Sequence, residues 1–301
     1  MEQYHIPVLL NEAIRGLHIH PAGVYVDCTF GGGGHSRAIL SQLGREGKLY
    51  VFDQDDDARR NLPDDDRIVF IPHNFRHIQR FLRLHDAVPV DGILADLGVS
   101  SHQFDQPARG FSTRFDDAPL DMRMDQHHTV TAVTLLQNAS EQELHKMFEQ
   151  YGEVTNAKTL AKLIVEQRKL VVLKTVGDFK RAVALAVKGN PNKYFAQVFQ
   201  ALRIAVNEEM QSLQDLLQQL SPLLKEGGRA AIITFHSIED RMVKNFFKYG
   251  SFELQDADAV YGTRVESPFN ILTKKPIVPS GQEVKQNPRS RSAKLRIAEK
   301  K

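Results

Sequence analysis

Cysteine is almost missing from this sequence: Cys28 is the single one among 301 residues. That excludes a disulfide scaffold and fits a reducing compartment. Also lacking is any apolar run approaching the roughly 18 residues of a membrane span. The opening Met1-Glu2-Gln3-Tyr4-His5 does not read as a secretory signal, so a cytoplasmic chain with no membrane partner is expected. The pairs His18/His20 and His127/His128 have no cysteine or patterned acid beside them, and no metal site is expected. No Ser–His–Asp spacing suggests hydrolysis, and no repeat or low-complexity segment is present. What is there is globular: 42% hydrophobic and 25% charged residues, enough for a sizeable core. The length suits two domains, or one large α/β domain with an insertion.

Short β-rich runs alternate with helical stretches over the first hundred residues. Strands are expected at 24–28, 48–52, 67–71 and 91–95, with helices at 36–43 and 75–84. Such units predict right-handed crossovers and a parallel sheet. The pattern breaks over 99–128, a loop-like stretch holding Pro107, Gly110 and Pro119. Helices follow, opened by Ser140 with Glu143 and by Thr175 with Asp178. One long helix is expected over 194–220, with Phe195, Val198, Phe199, Leu202, Val206, Met210, Leu213 and Leu217 as a buried stripe. Strand character resumes at 229–235 behind Gly227-Gly228, Ser237 and Asp240 start another helix, and a last strand is expected at 293–297. The reading is an α/β domain formed by 1–105 and 205–301, with an all-helical domain, 106–204, inserted.

Four glycines, Gly31 to Gly34, follow the first strand and lead into a helix. Such a loop lets backbone approach an adenosine cofactor. Asp53 ends the second strand 20 residues after Gly33, where a carboxylate would bond ribose hydroxyls. A nicotinamide dinucleotide is disfavoured, because the third glycine of its fingerprint would fall on Ser36 or Arg37. Asp27 also puts a negative charge where a pyrophosphate would be unwelcome. That charge suits a cationic cofactor such as S-adenosyl-L-methionine; alternatively, Asp27 merely bonds loop amides. Asp96 ends the fourth strand and Gln103 follows. Asp27, Asp53 and Asp96 should therefore meet in one crevice beyond the strand ends.

Charge is uneven. From 285 to 301 there are seven basic residues and one acid, Glu299, although the whole chain carries only +2. This basic end suggests phosphate contacts through Arg289, Arg291 and Arg296, or else a solvated tail. Phe104, Phe111 and Phe115, interleaved with Arg109, Arg114 and Arg123, offer stacking faces and phosphate contacts; the alternative is that these rings pack the insertion. Glu208-Glu209 reads as a solvated or ion-paired helix face.

The residues resemble a known family, the bacterial 16S rRNA (cytosine-N4)-methyltransferases, RsmH or MraW. Eight segments in order carry the resemblance. They are His-Ile-Pro-Val-Leu-Leu at 5–10, Asp-Cys-Thr-Phe at 27–30 with Gly-Gly-His-Ser at 33–36, Asp-Leu-Gly-Val-Ser-Ser at 96–101, and Arg-Gly-Phe-Ser at 109–112. Further on come Pro-Leu-Asp-Met-Arg-Met-Asp at 119–125, Phe-Gln-Ala-Leu-Arg-Ile at 199–204, Phe-His-Ser-Ile-Glu-Asp-Arg at 235–241, and Asn-Pro-Arg-Ser-Arg-Ser-Ala at 287–293. The chain departs from the pattern after Tyr151-Gly152-Glu153, where many members are basic and Val154-Thr155 stands here.

The resemblance implies a class I S-adenosylmethionine-dependent methyltransferase, Rossmann-like with a mostly parallel sheet. It implies methylation of a cytidine N4 in the decoding centre of 16S rRNA, with the small ribosomal subunit as partner; a homodimer is left open. Cofactor positions carry over to Gly33, Gly34, His35, Asp53, Phe75, Asp96 and Gln103. Asp96 is the candidate catalytic residue, accepting from N4–H, or else it only holds the cofactor. His236 could be a base, though none that strong is needed. Other readings are a non-catalytic ribosome-binding factor that kept the fold, and a methyltransferase for another nucleic-acid amine.

Overall fold

The computed structural model describes residues 7–252 and 266–301; His5 and Ile6 of the first motif lie outside them. Two compact units emerge, one made of Met1–Gly98 with Met210–Lys301 and the other of Val99–Glu209.

The first unit carries a seven-stranded sheet. In chain order its strands are β1 (Val24–Asp27), β2 (Lys48–Phe52), β3 (Ile68–Ile71), β4 (Val90–Asp96), β5 (Leu224–Thr234), β6 (Phe269–Ile271) and β7 (Lys294–Lys300). The spatial order is β3-β2-β1-β4-β5-β7-β6. The first five run parallel, and β7 is antiparallel to both neighbours. This is the Rossmann-like sheet of class I methyltransferases. The apolar runs explain it, since a parallel sheet is covered on both faces. Leu49, Val51, Leu94, Ala231, Ile233, Leu295 and Ile297 join one core with Ala13, Ile14 and Leu17 of α1 (Leu10–Leu17) and Ile39 of α2 (Gly34–Leu40). Residues between them, such as Phe52, Ile93 and Ile232, point to the opposite face and are fully buried. On that side Phe52 meets Phe81 of α3 (Ile78–Leu84).

The second unit is helical: α4 (Ser101–Asp105), α5 (Ala132–Asn138), α6 (Glu141–Gly152), α7 (Ala157–Gln167), α8 (Val176–Ala182) and α9 (Pro191–Val206). The Ser140–Glu143 and Thr175–Asp178 boxes close as their spacing predicts. Leu144, Phe148, Leu160, Ile164, Phe179, Val198 and Leu202 form its core. Val154, where the family's basic pattern is missing, is 4% exposed and belongs to that core. The first unit then resumes with α10 (Glu209–Leu223), α11 (Ser237–Tyr249) and α12 (Gly281–Gln286).

Three sequence expectations are corrected. The helix over 194–220 is two helices, α9 and α10, broken at Asn207 and Glu208. Glu208 has φ 48°. The Asn207 side chain accepts the Met124 N–H and donates to the carbonyls of Met122 and Arg203, so loop bonds replace helical ones there. Apolar periodicity runs through the break because each half buries its own stripe. At α11 the cap is His236, whose Nδ1 accepts the Glu239 N–H, and Ser237 is the first helical residue. Nor is the basic end a tail, because β7 lies between β5 and β6. Arg296 is only 6% exposed and pairs with Asp240 at 2.6 Å, joined by Lys294 at 3.1 Å. Arg296 is therefore withdrawn as a phosphate contact. Arg289 and Arg291 are exposed in a 3-10 turn, Pro288–Ser292.

Candidate active site

The strand order reverses between β1 and β4, and ligands of such sheets sit beyond the carboxyl ends there. Asp27 is the last residue of β1 and Asp96 the last of β4, while Asp53 directly follows β2. Two hydroxyls fasten the β1 and β4 ends. Thr29 Oγ1 accepts the Asp96 N–H at 2.7 Å, and Ser36 Oγ donates to Asp27 Oδ2 at 2.6 Å. Asp27 Oδ1 also accepts the Thr29 N–H at 3.0 Å. The alternative given above for Asp27, an anchor for its own loop, is thus what the geometry contains.

The glycine loop follows from its backbone angles. Gly31 and Gly33 have φ 50° and 72°, the left-handed region that costs glycine little. Gly33 is the N-cap of α2, which starts at Gly34 rather than the expected 36. At Gly34 the constraint is space: a Cβ would lie 2.1 Å from Pro7 Cγ. Asp53 holds the loop from the other side, its Oδ2 accepting the Gly31 N–H at 2.7 Å and its Oδ1 the Asp55 N–H at 2.8 Å. His35 is buried, with Nε2 3.1 Å from the Val8 carbonyl and Nδ1 3.7 Å from Asp96 Oδ2.

Three carboxyls in one crevice, Asp27 buried and Asp53 and Asp96 partly so, repel ionisation. Burial raises Asp27, against the bonds from Ser36 and Thr29. Burial carries Asp53 to about 7. Asp96 is pushed well above the ordinary carboxylate range by burial first, then by the charges of Asp27 and Glu239. Its Oδ1 is buried and has no hydrogen-bond partner among the described residues. An acceptor in that state wants a proton donor or a cation.

Gly33, Gly34, His35, Asp53 and Asp96 all belong to the loop and strand ends of the first unit. Phe75, partly buried, opens a 3-10 turn after β3, and the neighbouring Asn74 side chain donates to Gln54 Oε1 at 2.9 Å. Gln103 lies in the second unit, where its side chain and that of Ser100 form the capping box of α4. Sequence reasoning missed Thr29, Ser36, Pro7 and Glu239 as supports. All four stood inside the motifs quoted above, and Ser36 was also weighed as a failed glycine.

The expected stacking faces fare differently. Phe111 is 4% exposed, in the helical unit's own core. Arg109 is buried and donates to the carbonyls of Arg123 and Met124, and Arg123 grips Asp121 and the carbonyls of Gln126 and His128. These three are structural. Arg114 stays exposed, paired with Asp105 and lying over the partly buried rings of Phe104 and Phe115. Glu209 pairs with Arg203 at 2.8 Å.

Comparison with known proteins agrees with the motifs. The chain is similar to the ribosomal RNA small subunit methyltransferase H of Bacteroides thetaiotaomicron, 50% identical over 299 residues, covering 99% of this chain and 98% of that one. The Flavobacterium johnsoniae protein of the same name is 51% identical, with the same coverage. A solved rRNA methylase from Streptococcus thermophilus is a distant likeness, 11% identical over 98% of each chain with a TM-score of 0.43. A family model described as the MraW methylase family matches residues 2–301. Spanned by that match and half identical to such relatives along its length, the chain belongs to the MraW methylase family.

Proposed function

We propose that the protein is an S-adenosylmethionine-dependent methyltransferase that modifies the N4 amine of a cytidine in the decoding centre of 16S rRNA. The two-part unit is its methyltransferase domain and the helical unit the insertion. Family membership and the names of the relatives support an RNA of the small ribosomal subunit as substrate, met in the cytoplasm. The observation that carries the chemistry is Asp96: a buried carboxyl at a strand end, with one oxygen unpartnered among the described residues. Carboxyls at three strand ends, each raised by burial, fit a cofactor with a cationic centre better than a pyrophosphate.

S-adenosylmethionine would supply a methyl group already activated on a sulfonium, released as a neutral thioether. The residues of this chain then have three tasks. Gly33, Gly34 and His35 offer a close backbone approach at the start of α2, and Asp53 accepts from ribose hydroxyls. Phe75 would lie beside the adenine. Asp96 accepts a hydrogen bond from N4–H, which localises the nitrogen lone pair for in-line attack at about 3–3.5 Å. As the N–C bond forms and the C–S bond breaks, N4 sheds a proton, and a carboxylate of raised pKa is suited to take it.

Nucleoside mass analysis of 16S rRNA from cells with and without the protein tests this reading. One N4-methylated cytidine should vanish without it; an unchanged digest, or a change on another base, overturns it. For Asp96, Asp96→Ala should abolish transfer at saturating cofactor, whereas near wild-type turnover would leave the residue a cofactor contact only.

A further inference from the structure

Residues 68–85 hold Arg76, Arg80 and Arg83 and no acid. Arg80 and Arg83 stand at i and i+3 on α3 and share one face, and Arg76 lies in the 3-10 turn just before it. A groove opens between this face and α10. Arg80 and Arg83 are exposed and enter no ion pair among the described residues. Asp215, the acid on the α10 wall, is neutralised by Arg76 at 2.9 Å. Gln219 fixes the walls: its Oε1 accepts the Gln79 N–H at 3.0 Å, and its Nε2 donates to the Arg76 carbonyl at 2.8 Å and to the Asp215 carbonyl. His77, on the same rim, is held below its ordinary pKa by burial and then by the guanidiniums of Arg76 and Arg80. The groove is thus a positive surface on a rigid frame, without a carboxylate left to answer it.

We propose that this groove binds the phosphodiester backbone of the RNA substrate, with Arg80 and Arg83 as the phosphate contacts. The inference rests on the proposed function for its substrate class. Arginine suits the role, because its planar fork matches phosphate oxygens. The bound strand adds affinity and carries no base reading.

The test titrates small-subunit RNA lacking the modification against full-length protein from 50 to 200 mM salt. It compares the wild type with the double variants Arg80→Glu/Arg83→Glu and Arg80→Lys/Arg83→Lys. The glutamate variant should weaken RNA binding at least about tenfold and flatten the salt slope by about 1.4, two contacts at ~0.7 each for a single strand. The lysine variant should keep the slope, and both should bind cofactor as the wild type does. If the wild type binds RNA and the glutamate variant matches it in affinity and slope, the groove is refuted and the methyltransferase reading stands. If the wild type binds no small-subunit RNA, the proposed function fails and takes the groove with it. Loss of binding to anionic lipid vesicles with RNA binding intact would reassign the surface to a membrane and overturn the proposal.

Discussion

Cofactor affinity should rise with pH through neutrality, and Asp53 should be the reason. Its carboxyl is buried, and burial carries its pKa to about 7 even though two N–H groups donate to it. A ribose diol donates hydrogen bonds and is best received by the ionised form. Binding therefore has to draw a proton off Asp53. At pH 6 about one site in ten is ionised and at pH 8 about nine in ten, so the apparent Kd should tighten about tenfold, or ~1.4 kcal/mol. Calorimetric titration of S-adenosylmethionine at half-unit steps from pH 5.5 to 8.5 measures this directly. The cofactor's own amino group also titrates, near 8, so the quantity to compare is the difference between wild type and Asp53→Asn. The variant should bind more weakly at pH 8, by about 1.5–3 kcal/mol for a lost charged hydrogen bond, and should lack the step near 7. A wild-type Kd constant from pH 6 to 8, or a variant with the same step, refutes the reasoning.

Two further outcomes follow from packing. Arg296→Ala leaves Asp240, in the first turn of α11, with only Lys294 to answer it, which should cost about 3–5 kcal/mol and lower Tm by on the order of 10 °C; an unaltered melting curve would refute the role given to that pair. For Asp240 burial is outweighed by Arg296 and Lys294, and its pKa lies below the ordinary value. The stabilisation is therefore present above about pH 4 and is lost as pH falls through the lowered pKa, so acid should narrow the gap between variant and wild type. Gly34→Ala drives a methyl into Pro7; cofactor Kd should rise about tenfold, the scale of ~1.4 kcal/mol of displaced loop, and an unchanged Kd would show that the loop yields without cost.

The sheet was legible because its strands are short apolar runs closed by turn residues. Four of the five parallel strands appear where the sequence puts them, give or take a residue or two at most ends. β5 is the exception. It begins at Leu224, and its Gly227-Gly228 turn is a bulge, with Val90 opposite Leu224 and Gly92 opposite Arg229. The acids at the strand ends were legible for the same reason, since a residue that ends a strand is fixed by the strand. What periodicity could not reveal was the break at Asn207, whose side chain bonds the distant backbone of Met122 and Met124. Nor could it show β6 and α12, of three and six residues, too short to carry a pattern.

The charges were the least legible, and the reason is physical. A formal count treats each lysine and arginine as available, yet strand alternation decides which way each one points. In β7, Leu295 and Ile297 enter the core shared with α1, so Lys294 and Arg296 must face the opposite side. There the first turn of α11 supplies Asp240. Cross-strand pairing takes Glu299 to Arg229, and Lys300 donates to the Leu224 carbonyl. Three of the seven basic residues at that end, Lys294, Arg296 and Lys300, are consumed in joining one strand to the fold. The opposite holds on α3: Ile78 and Leu82 occupy the buried face, which leaves Arg80 and Arg83 outward. Counting charge by the face it occupies, rather than by its place along the chain, trims the basic surface at the carboxyl end to the turn holding Arg289 and Arg291 and adds the α3 groove.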